Sequence, residues 1–376
     1  MERKSLNPTV SIVHVTTVHP RDDIRIARKE CATVARAYGG VSLVVCDGRG
    51  DETTPDGVRI LDVGPRPKSR ILRILAAPRR AARRLQAMRP QLVHLHDPEL
   101  LAVADDLLRS GARVVYDAHE DMPRAILTKG WIPASARRLI STGFERYEDS
   151  VAARVSGIVA ATPHIAARFG RLNRRTVEVS NFPLPEELAA PRGSVARERA
   201  VCYVGGIRRI RGLRPLIEAL PRVPELRLIL CGEFAEPEFE RELRSLPGWK
   251  QVDYRGQVDR TGVRDVLARC VAGIVTFLPV PNHVDAQPNK MFEYMSAGLP
   301  VIGSDFPLWR EIIEGSGCGL CADPESPEAI ARCMRQLLDD PELVARMGEA
   351  GQHAVAVRYN WPAAADRLLR FYEEIL

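Results

Sequence analysis

Short apolar runs alternate with longer amphipathic runs through most of this chain. In the first half the apolar runs read TVSIVHVTT, VSLVVC, QLVHLH, ARVVYDAH and SGIVAAT, with segments of helical length between them. Strands that are apolar throughout and separated by helices are typical of a parallel sheet covered on both faces. The pattern therefore predicts an α/β fold built from Rossmann-like units.

The alternation is interrupted in the stretch NFPLPEELAAPRGSVARER, which is rich in proline and charge and indicates a linker. Apolar runs resume after it with AVCYVGG, LRLILCG, KQVDYRG, VAGIVTF and LPVIGS. We predict a first domain over residues 1–185, a linker over 186–199, a second domain over 200–357 and a terminal helix over 358–376. Ligands of such sheets bind beyond the carboxyl ends of the strands. The expected site is a cleft across which two Rossmann-like domains face each other.

Several functional classes are excluded by what the sequence lacks. No stretch approaches the roughly 20 apolar residues of a membrane-spanning helix, and the first apolar run is too short and too polar for a signal peptide. The first strand ends in HVTTVHPRDD, without the glycine-rich motif of a dinucleotide-binding enzyme, and P-loop and H-E-x-x-H motifs are absent. The eight cysteines lie in apolar contexts that suit reduced thiols. We therefore expect a cytoplasmic protein.

Much of the positive charge lies in one segment of the first half. Between Arg66 and Arg89 there are nine basic residues and no acidic one, which favours an anionic partner. Because no aromatic residue interleaves these charges, we predict no nucleic acid partner. The segment also has an apolar side, formed by Ile71, Leu72, Ile74, Leu75 and Leu85. Arg66–Arg89 therefore predicts a helix on an anionic membrane surface; the alternative is a solvated helix face.

The stretch DAQPNKMFEYMSAGLPVIGSDFP predicts a short helix that begins near Asn289. Its first turn contains Lys290 and no acidic residue, although a helix N-terminus itself carries about half a positive charge. A bound anion would offset both charges, and helix N-termini bind phosphate readily. Asp285 and Glu293 then serve as acceptors for sugar or ribose hydroxyls. The alternative for Glu293 is an ion pair with an arginine.

A second stretch, YVGGIRRIRGL, runs from a strand into two glycines and a group of arginines. Gly205 and Gly206 allow the backbone to approach a ligand closely. Arg208 and Arg211 supply charged donors that suit phosphate oxygens. A diphosphate between this loop and the start of the Asn289 helix would explain both stretches. The alternative for the loop is a turn with solvated arginines.

These residues resemble the retaining glycosyltransferases of family four (group 1), which have the GT-B fold of two Rossmann-like domains and include enzymes of bacterial cell-surface polysaccharide assembly. The hallmark is a pair of acids eight positions apart, here Asp285 and Glu293, around a helix that reads FEYMSAGLPVIGSD. The family more often has Glu at the first acid. Gly206 stands where the family usually has arginine and Arg211 where it has lysine, which makes Arg208 the candidate replacement.

The resemblance implies transfer of a sugar from a nucleoside-diphosphate sugar to a glycan or polyprenyl-diphosphate-linked acceptor, by a hexosyltransferase-type enzyme that retains the anomeric configuration. It implies no obligatory metal and no cofactor, because the nucleotide sugar is a substrate. It assigns catalysis to His119, Asp285 and Glu293. It assigns donor binding to Gly205, Gly206, Arg208, Arg211, Asn289, Lys290 and Glu293. It assigns the acceptor side to His19, His96 and Asp97.

The resemblance further implies that the terminal helix, from about Trp361, crosses back to the first domain. Lipid-linked acceptors of this kind imply a cytoplasmic protein that is peripheral at the inner face of the plasma membrane.

Two histidines also have structural interpretations. His96, at a strand end, could be satisfied within the core, and His14, inside the first strand, is interpreted as structural.

Alternatives to a transferase stay open. A sugar-nucleotide 2-epimerase of the same fold would use acids of the first domain, for which Asp117, Glu120 and Asp121 are the candidates. A non-catalytic nucleotide-sugar-binding protein would keep the anion site without turnover, and Gly206 at the usual arginine position keeps this alternative open. A glycosidase could use a carboxylate pair but would have no use for an anion site.

Overall fold

The computed structural model describes residues 10–184 and 197–376. The predicted linker, residues 186–199, lies outside the described residues apart from its last three positions. No helix within the described ranges combines the length and the apolar content that crossing a membrane requires.

The chain divides into two compact units. Met1–Asn181 and Pro362–Leu376 form the first unit, and Phe182–Trp361 forms the second. The first unit is therefore completed by the last residues of the chain. The α/β architecture with two parallel sheets, predicted from the sequence pattern, is confirmed.

The first unit is built on a mixed sheet that is parallel except at one edge. Its strands are β1 (Ile12–Val15), β2 (Val41–Val45), β3 (Glu52–Thr53), β4 (Arg59–Asp62), β5 (Leu92–Leu95), β6 (Arg113–Ala118), β7 (Gly157–Ala160) and β8 (Thr176–Glu178). The order is β3-β4-β2-β1-β5-β6-β7-β8, and only the β3–β4 pair is antiparallel. Its α-helices are α1 (Ala32–Tyr38), α2 (Arg70–Met88), α3 (Ala104–Arg109), α4 (Met122–Thr128), α5 (Ala134–Ala152) and α6 (Pro163–Gly170). A π-helical segment spans Ile24–Cys31 and a 3-10 helix spans Pro98–Val103.

The second unit has a fully parallel sheet. Its strands are β9 (Ala200–Val204), β10 (Arg227–Cys231), β11 (Val252–Gly256), β12 (Ala272–Val275), β13 (Val301–Ser304) and β14 (Gly319–Ala322), in the order β11-β10-β9-β12-β13-β14. Its α-helices are α7 (Leu213–Ala219), α8 (Pro237–Arg244), α9 (Arg260–Arg269), α10 (Asn289–Ser296), α11 (Pro307–Ile313), α12 (Pro327–Asp339) and α13 (Pro341–Val357). Short 3-10 helices span Arg209–Arg211, Leu220–Arg222 and Pro247–Gln251. The last helix of the chain, α14, spans Trp361–Ile375.

The segment before α1 brings charged side chains into the first unit. Asp23 caps it by accepting a hydrogen bond from the Ile26 backbone N–H, and its i to i+5 winding is rare and often found at functional sites. The side chains of Arg25, Lys29 and Glu30 are buried as a result. Buried charges of this kind need partners. Lys29 donates a hydrogen bond to Asn181 Oδ1 at 2.7 Å, and the partners of Arg25 and Glu30 belong to the candidate site described below.

Helix α14 packs directly on the sheet of the first unit. Arg367 Nε donates a hydrogen bond to the Glu178 carbonyl oxygen in β8 at 2.9 Å. A Cβ atom placed on Gly157 in β7 would lie 2.6 Å from Phe371 Cζ and 2.7 Å from Ile375 Cδ1. The glycine is therefore what allows the terminal helix to lie close to the strand.

Replacing Gly157 by alanine should loosen this packing. Because the added methyl group would overlap both side chains, we expect Gly157→Ala to destabilise the first unit by about 1–3 kcal/mol. Denaturant unfolding measures the change. Gly143→Ala in α5 is the matched control, since a Cβ there would meet nothing within 4 Å and alanine is the better helix former. Equal stability of the two variants would contradict the packing argument.

Candidate functional site

The loop after β9 lies against the side chain of Lys290. Gly205 in this loop has a φ of +131°, and a Cβ atom placed there would lie 2.7 Å from Lys290 Nζ. A larger residue at position 205 would be strained and would displace the ammonium group. At Gly206, by contrast, a Cβ atom would meet nothing within 4 Å. Geometry therefore requires a glycine at 205 but not at 206.

The Lys290 ammonium group is held over aromatic rings. Its Nζ lies 3.9 Å from the ring centroid of Tyr203 and 5.4 Å from that of Phe277, while the Arg211 guanidinium lies 4.1 Å from the Phe277 centroid. Withdrawal from water lowers the pKa of Lys290 well below its usual value, and Arg211 lowers that pKa further against the opposing effect of Glu293. A bound anion would favour the charged form of this lysine.

Helix α10 begins at Asn289, as the sequence predicts. Its N-cap is Pro288, which makes no side-chain capping bond, and its first turn contains no acidic residue. Trp309 Nε1 fixes the preceding segment by donating a hydrogen bond to the Ala286 carbonyl oxygen at 2.7 Å. Since the first N–H groups of a helix have no intrahelical partner, this end can bind an anion.

The two predicted acids differ in their surroundings. Glu293 in α10 is half-buried, and its Oε1 accepts a hydrogen bond from Arg260 Nη1 at 2.9 Å. The arginine pair that the sequence left open is therefore present, and it holds the carboxylate in one orientation. Asp285 is also half-buried, in the segment before α10. Both acids thus lie near the start of the same helix.

The three arginines after β9 are in different situations. Arg209 is committed to structure, because it pairs with Glu242 at 2.7 Å and lies over the Phe239 ring. Arg211 lies over Phe277, next to Lys290, as described above. Arg208 is exposed, and its side chain makes no hydrogen bond or ion pair within the described residues. Of the two predicted donor-binding arginines, Arg208 is therefore the exposed one, and Arg211 is the one that lies beside Lys290.

In the first unit, Asp97 holds the loop that carries His19. Asp97 is buried, and its Oδ2 accepts hydrogen bonds from Thr17 N at 2.5 Å, Thr16 Oγ1 at 3.0 Å and Val18 N at 3.2 Å. His19 Nε2 lies 3.6 Å from Asp97 Oδ1. Asp97 therefore positions the loop, while His19, about a third exposed, is the group that can meet a ligand.

His19 is also paired with the helix cap Asp23. Its Nδ1 lies 3.3 Å from Asp23 Oδ2. Burial opposes the charged imidazole, but the hydrogen bond to Asp23 and the charge of Asp97 outweigh it, so the pKa of His19 is raised. Burial would likewise raise the pKa of Asp23, but bonds from His19 and the Ile26 N–H lower it to about 2. This end of β1 therefore favours a positive charge on His19.

His119 is held by a buried carboxylate. Its Nε2 lies 2.8 Å from Asp117 Oδ2, and its side chain is 17% exposed. Arg25 Nη2 donates to both oxygens of Asp117, at 2.9 Å and 3.2 Å, and Arg25 Nε pairs with Glu30 Oε1 at 2.9 Å. Burial alone would raise the pKa of Asp117, but Arg25 and His119 hold it well below its usual value. His119 is therefore an accessible imidazole fixed by an ionised acid.

His96, predicted for the acceptor side, lies inside the first unit. It is 1% exposed, its Nδ1 lies 3.2 Å from Asp117 Oδ2, and its Nε2 lies 2.8 Å from His14 Nδ1. Burial lowers the pKa of His96 to about 4, so it is neutral at pH 7. The geometry fits the core interpretation that the sequence left open for His96.

Arg25, Glu30 and Asp117 are the residues of this region that sequence reasoning missed or assigned elsewhere. The signal for Asp117 was its position two residues before His119 in DAH, at the carboxyl end of β6. Among the residues that the structure describes, two overlapping groups of side chains could hold a metal ion: His14, Glu30, His94 and His96, and His96, Asp117 and His119. The acids of both groups already share the Arg25 guanidinium.

Family models cover most of the chain. Residues 25–185 match the glycosyl transferase 4-like domain, and residues 186–354 match glycosyl transferases group 1. Among curated relatives, the alpha-D-kanosaminyltransferase of Streptomyces kanamyceticus is 26% identical over 46% of this chain and 45% of its own length. The lipopolysaccharide core biosynthesis glycosyltransferase LpsE of Rhizobium meliloti is 27% identical over 57% of this chain and 63% of its own. Each match spans less than two thirds of the relative.

Solved structures resemble the whole chain. Sucrose-phosphate synthase from Thermosynechococcus elongatus superposes with a TM-score of 0.80 at 17% identity, over 97% of this chain and 99% of that one. HepE from Anabaena, solved in complex with UDP, gives a TM-score of 0.74 at 15% identity, over 97% of this chain and 100% of that one. These likenesses establish the GT-B fold.

Proposed function

We propose that this glycosyltransferase, which has the GT-B fold with a 4-like and a group 1 domain, moves a sugar from a nucleoside-diphosphate sugar to a glycan or lipid-linked acceptor, with retention of configuration. The likeness to LpsE supports a role in cell-surface polysaccharide synthesis. The UDP complex of HepE supports a nucleoside diphosphate as the leaving group.

The observation that carries this proposal is the accumulation of positive charge at the start of α10. Lys290 and Arg211 lie close together over the Phe277 ring, next to a helix N-terminus without an acidic residue in its first turn. Burial lowers the pKa of Lys290, and the neighbouring charge of Arg211 lowers it further. A diphosphate supplies the missing negative charge, and Gly205 leaves room for the lysine to reach it.

The same groups have a role in the reaction. The bond between the sugar and the diphosphate breaks while a bond between the sugar and the acceptor oxygen forms on the same face, and the acceptor proton passes to the leaving diphosphate. Negative charge grows on the diphosphate in the transition state, where Lys290, Arg211 and the α10 N–H groups stabilise it. Glu293 binds a donor hydroxyl, and Asp285 and His119 orient the sugar.

The epimerase alternative is disfavoured by the surroundings of two of its three candidate acids. Asp117 is buried and bound to Arg25, and Asp121 caps α4 by accepting a hydrogen bond from the Arg124 N–H. Neither of these carboxylates is placed as a freely accessible base, whereas the third candidate, Glu120, is exposed. The group 1 and 4-like domains instead favour transfer.

A thermal-shift panel of UDP, GDP, ADP, CMP, dTDP and NAD, with and without chelator, tests the donor assignment. A nucleoside diphosphate at 100 times its dissociation constant should stabilise the protein by about 2.7 kcal/mol. Lys290→Gln should remove most of this shift, whereas Lys250→Gln, at an exposed lysine of the same unit, should keep it. If no nucleoside diphosphate shifts the melting temperature, or if only NAD does, the protein lacks the proposed site. A shift that chelator abolishes would mean that a metal is needed.

Removing the Glu293 carboxylate should impair transfer without unfolding the protein. We expect Glu293→Ala to lower kcat/KM by roughly two orders of magnitude, equivalent to about 2.7 kcal/mol of transition-state stabilisation. Glu349→Ala, at an exposed glutamate of α13, is the control. If Glu293→Ala has the same turnover as the Glu349→Ala control, Glu293 does not belong to the proposed site.

The surface of α2 supports a peripheral membrane attachment. The helix buries Ala77, Ala81 and Leu85 against the first unit, whereas Ile71 is 70% and Leu72 is 59% exposed. These apolar side chains lie within the basic segment Arg66–Arg89 that the sequence singles out. Such a helix suits an anionic membrane surface, which lipid-linked acceptors would require.

Co-sedimentation with phosphatidylserine-containing vesicles, compared with phosphatidylcholine alone, tests the attachment. Leu72→Glu should lower partitioning by at least about tenfold, because burying a leucine contributes about 1.5–3 kcal/mol. Val357→Glu, at a similarly exposed position of the second unit, should have no effect. If partitioning depends neither on anionic lipid nor on the Leu72→Glu substitution, the proposed membrane attachment through α2 is wrong.

A further inference from the structure

Side chains of the first unit form a continuous series of hydrogen-bond contacts that ends at His119. We call this series the histidine network; its members are Tyr372, His14, His96, Asp117 and His119. Tyr372 Oη lies 3.2 Å from His14 Nε2, and His14 Nδ1 lies 2.8 Å from His96 Nε2. His96 Nδ1 and His119 Nε2 both approach Asp117 Oδ2, at 3.2 Å and 2.8 Å. The first four members are buried.

The protonation states of the network follow from burial and pairing. Burial lowers the pKa of His14 well below its usual value and that of His96 to about 4, so both are neutral at pH 7. Asp117 is ionised because Arg25 compensates its charge. His14 and His96 are therefore neutral imidazoles, each with one N–H, and Asp117 is a carboxylate.

The ionised carboxylate favours one direction along the series. An ionised carboxylate only accepts, and His96 donates to Asp117 through Nδ1–H in the arrangement that also directs His119 Nε2–H, 3.2 Å from His96 Nδ1, at Asp117. A neutral imidazole has one N–H, so His96 Nε2 must accept from His14 Nδ1–H. His14 Nε2 must in turn accept from the Tyr372 hydroxyl. Each donor points toward the negative charge of Asp117, which is the cooperative arrangement.

His94 completes the surroundings of the tyrosine. It pairs with His14 across β1 and β5, and its Nδ1 lies 2.5 Å from Tyr372 Oη. With the tyrosine hydroxyl donating to His14, its oxygen accepts from His94 Nδ1–H, and His94 Nε2, 3.7 Å from Asp117 Oδ2, carries no proton. Tyr372 thus makes hydrogen bonds to two imidazoles, and it is supplied by the terminal segment that belongs to this unit.

We propose that Tyr372 is a positioning residue for His119. Its hydroxyl sets the tautomers of His14 and His96, and through them the way in which Asp117 holds the His119 imidazole, with Nε2 protonated and Nδ1 unprotonated. His119 Nδ1 makes no hydrogen bond within the described residues, so it is the atom left to accept one from a substrate hydroxyl. The inference rests on the proposed function insofar as that function assigns His119 to the reacting sugar. It makes the docking of the terminal helix a condition for an ordered catalytic histidine.

A metal ion among these histidines is the competing explanation. Two nitrogens bound tetrahedrally to one zinc at 2.0–2.1 Å lie roughly 3.3 Å apart, whereas His14 Nδ1 and His96 Nε2 are separated by 2.8 Å. Arg25 also already provides a cation to Glu30 and Asp117. The geometry therefore points to hydrogen bonds.

The decisive experiment is a long-range ¹H–¹⁵N correlation spectrum of the full chain labelled on histidine, assigned with single histidine-to-glutamine variants. We expect His14 and His96 as Nδ1–H tautomers and His119 as the Nε2–H tautomer at pH 7. His14 or His96 as Nε2–H, or stoichiometric metal by elemental analysis of the purified protein, would overturn the proposal. This readout does not depend on catalytic activity.

Tyr372→Phe removes only the hydroxyl that begins the series. Its His14 signal should no longer show the single Nδ1–H tautomer, and kcat with UDP-glucose as the probe should fall roughly tenfold, as a misplaced catalytic group does. The KM for UDP-glucose should change less than kcat, because the groups proposed to bind its diphosphate belong to the second unit. Tyr38→Phe, whose ring lies 6.4 Å from that of Tyr372, is the control.

The two variants separate the possible failures. If Tyr372→Phe has the same histidine tautomers and the same kcat as Tyr38→Phe, the proposed role of Tyr372 is wrong. If Tyr372→Phe does not fold, the tautomers of the unmodified protein decide the question. If the protein turns over no nucleotide sugar, the proposed function fails, while the tautomer test of the network still gives its answer.

Discussion

Both units depend on how a cation withdrawn from water is compensated. In the first unit, the buried Arg25 guanidinium is shared by Asp117 and Glu30, so its charge is balanced within the protein. In the second unit, the Lys290 ammonium lies on aromatic rings beside Arg211, and Glu293 is already paired with Arg260. The first arrangement builds a fixed support, whereas the second leaves a charge that a ligand can balance.

The pattern of apolar residues was sufficient to predict the strands at the centre of each sheet, because β1, β5 and β12 are buried along their whole length. It was insufficient at the edges. The two residues of β3 are exposed, and β8 has three half-buried residues, so neither has an apolar run that a pattern could reveal. Edge strands such as these are set by the sheet already formed beside them, and their pairing is a tertiary effect.

The candidate site was predictable where its chemistry is local. Asn289, Lys290 and Glu293 lie within one short helix, so the absence of an acid in its first turn was visible in the sequence. The support of His119 was not visible, because Arg25 lies 92 positions from Asp117 and Tyr372 lies 358 positions from His14. Such contacts depend on strand order and on the return of the terminal helix. The same reason explains why His96 could be read as an acceptor-side residue although it is buried.

Packing requires only the first of the two glycines in the loop after β9. At Gly205, a positive φ and the nearby Lys290 Nζ explain the glycine completely. At Gly206 the φ is not in the left-handed region, and a side chain would extend into open space. An arginine there would fit, so the missing cation is not excluded by packing. Arg208 lies two residues later, is exposed and has no acidic partner in the described residues. We propose that Arg208 supplies the positive charge of the loop from this neighbouring position, so that the departure from the usual pattern keeps a cation near the proposed anion site.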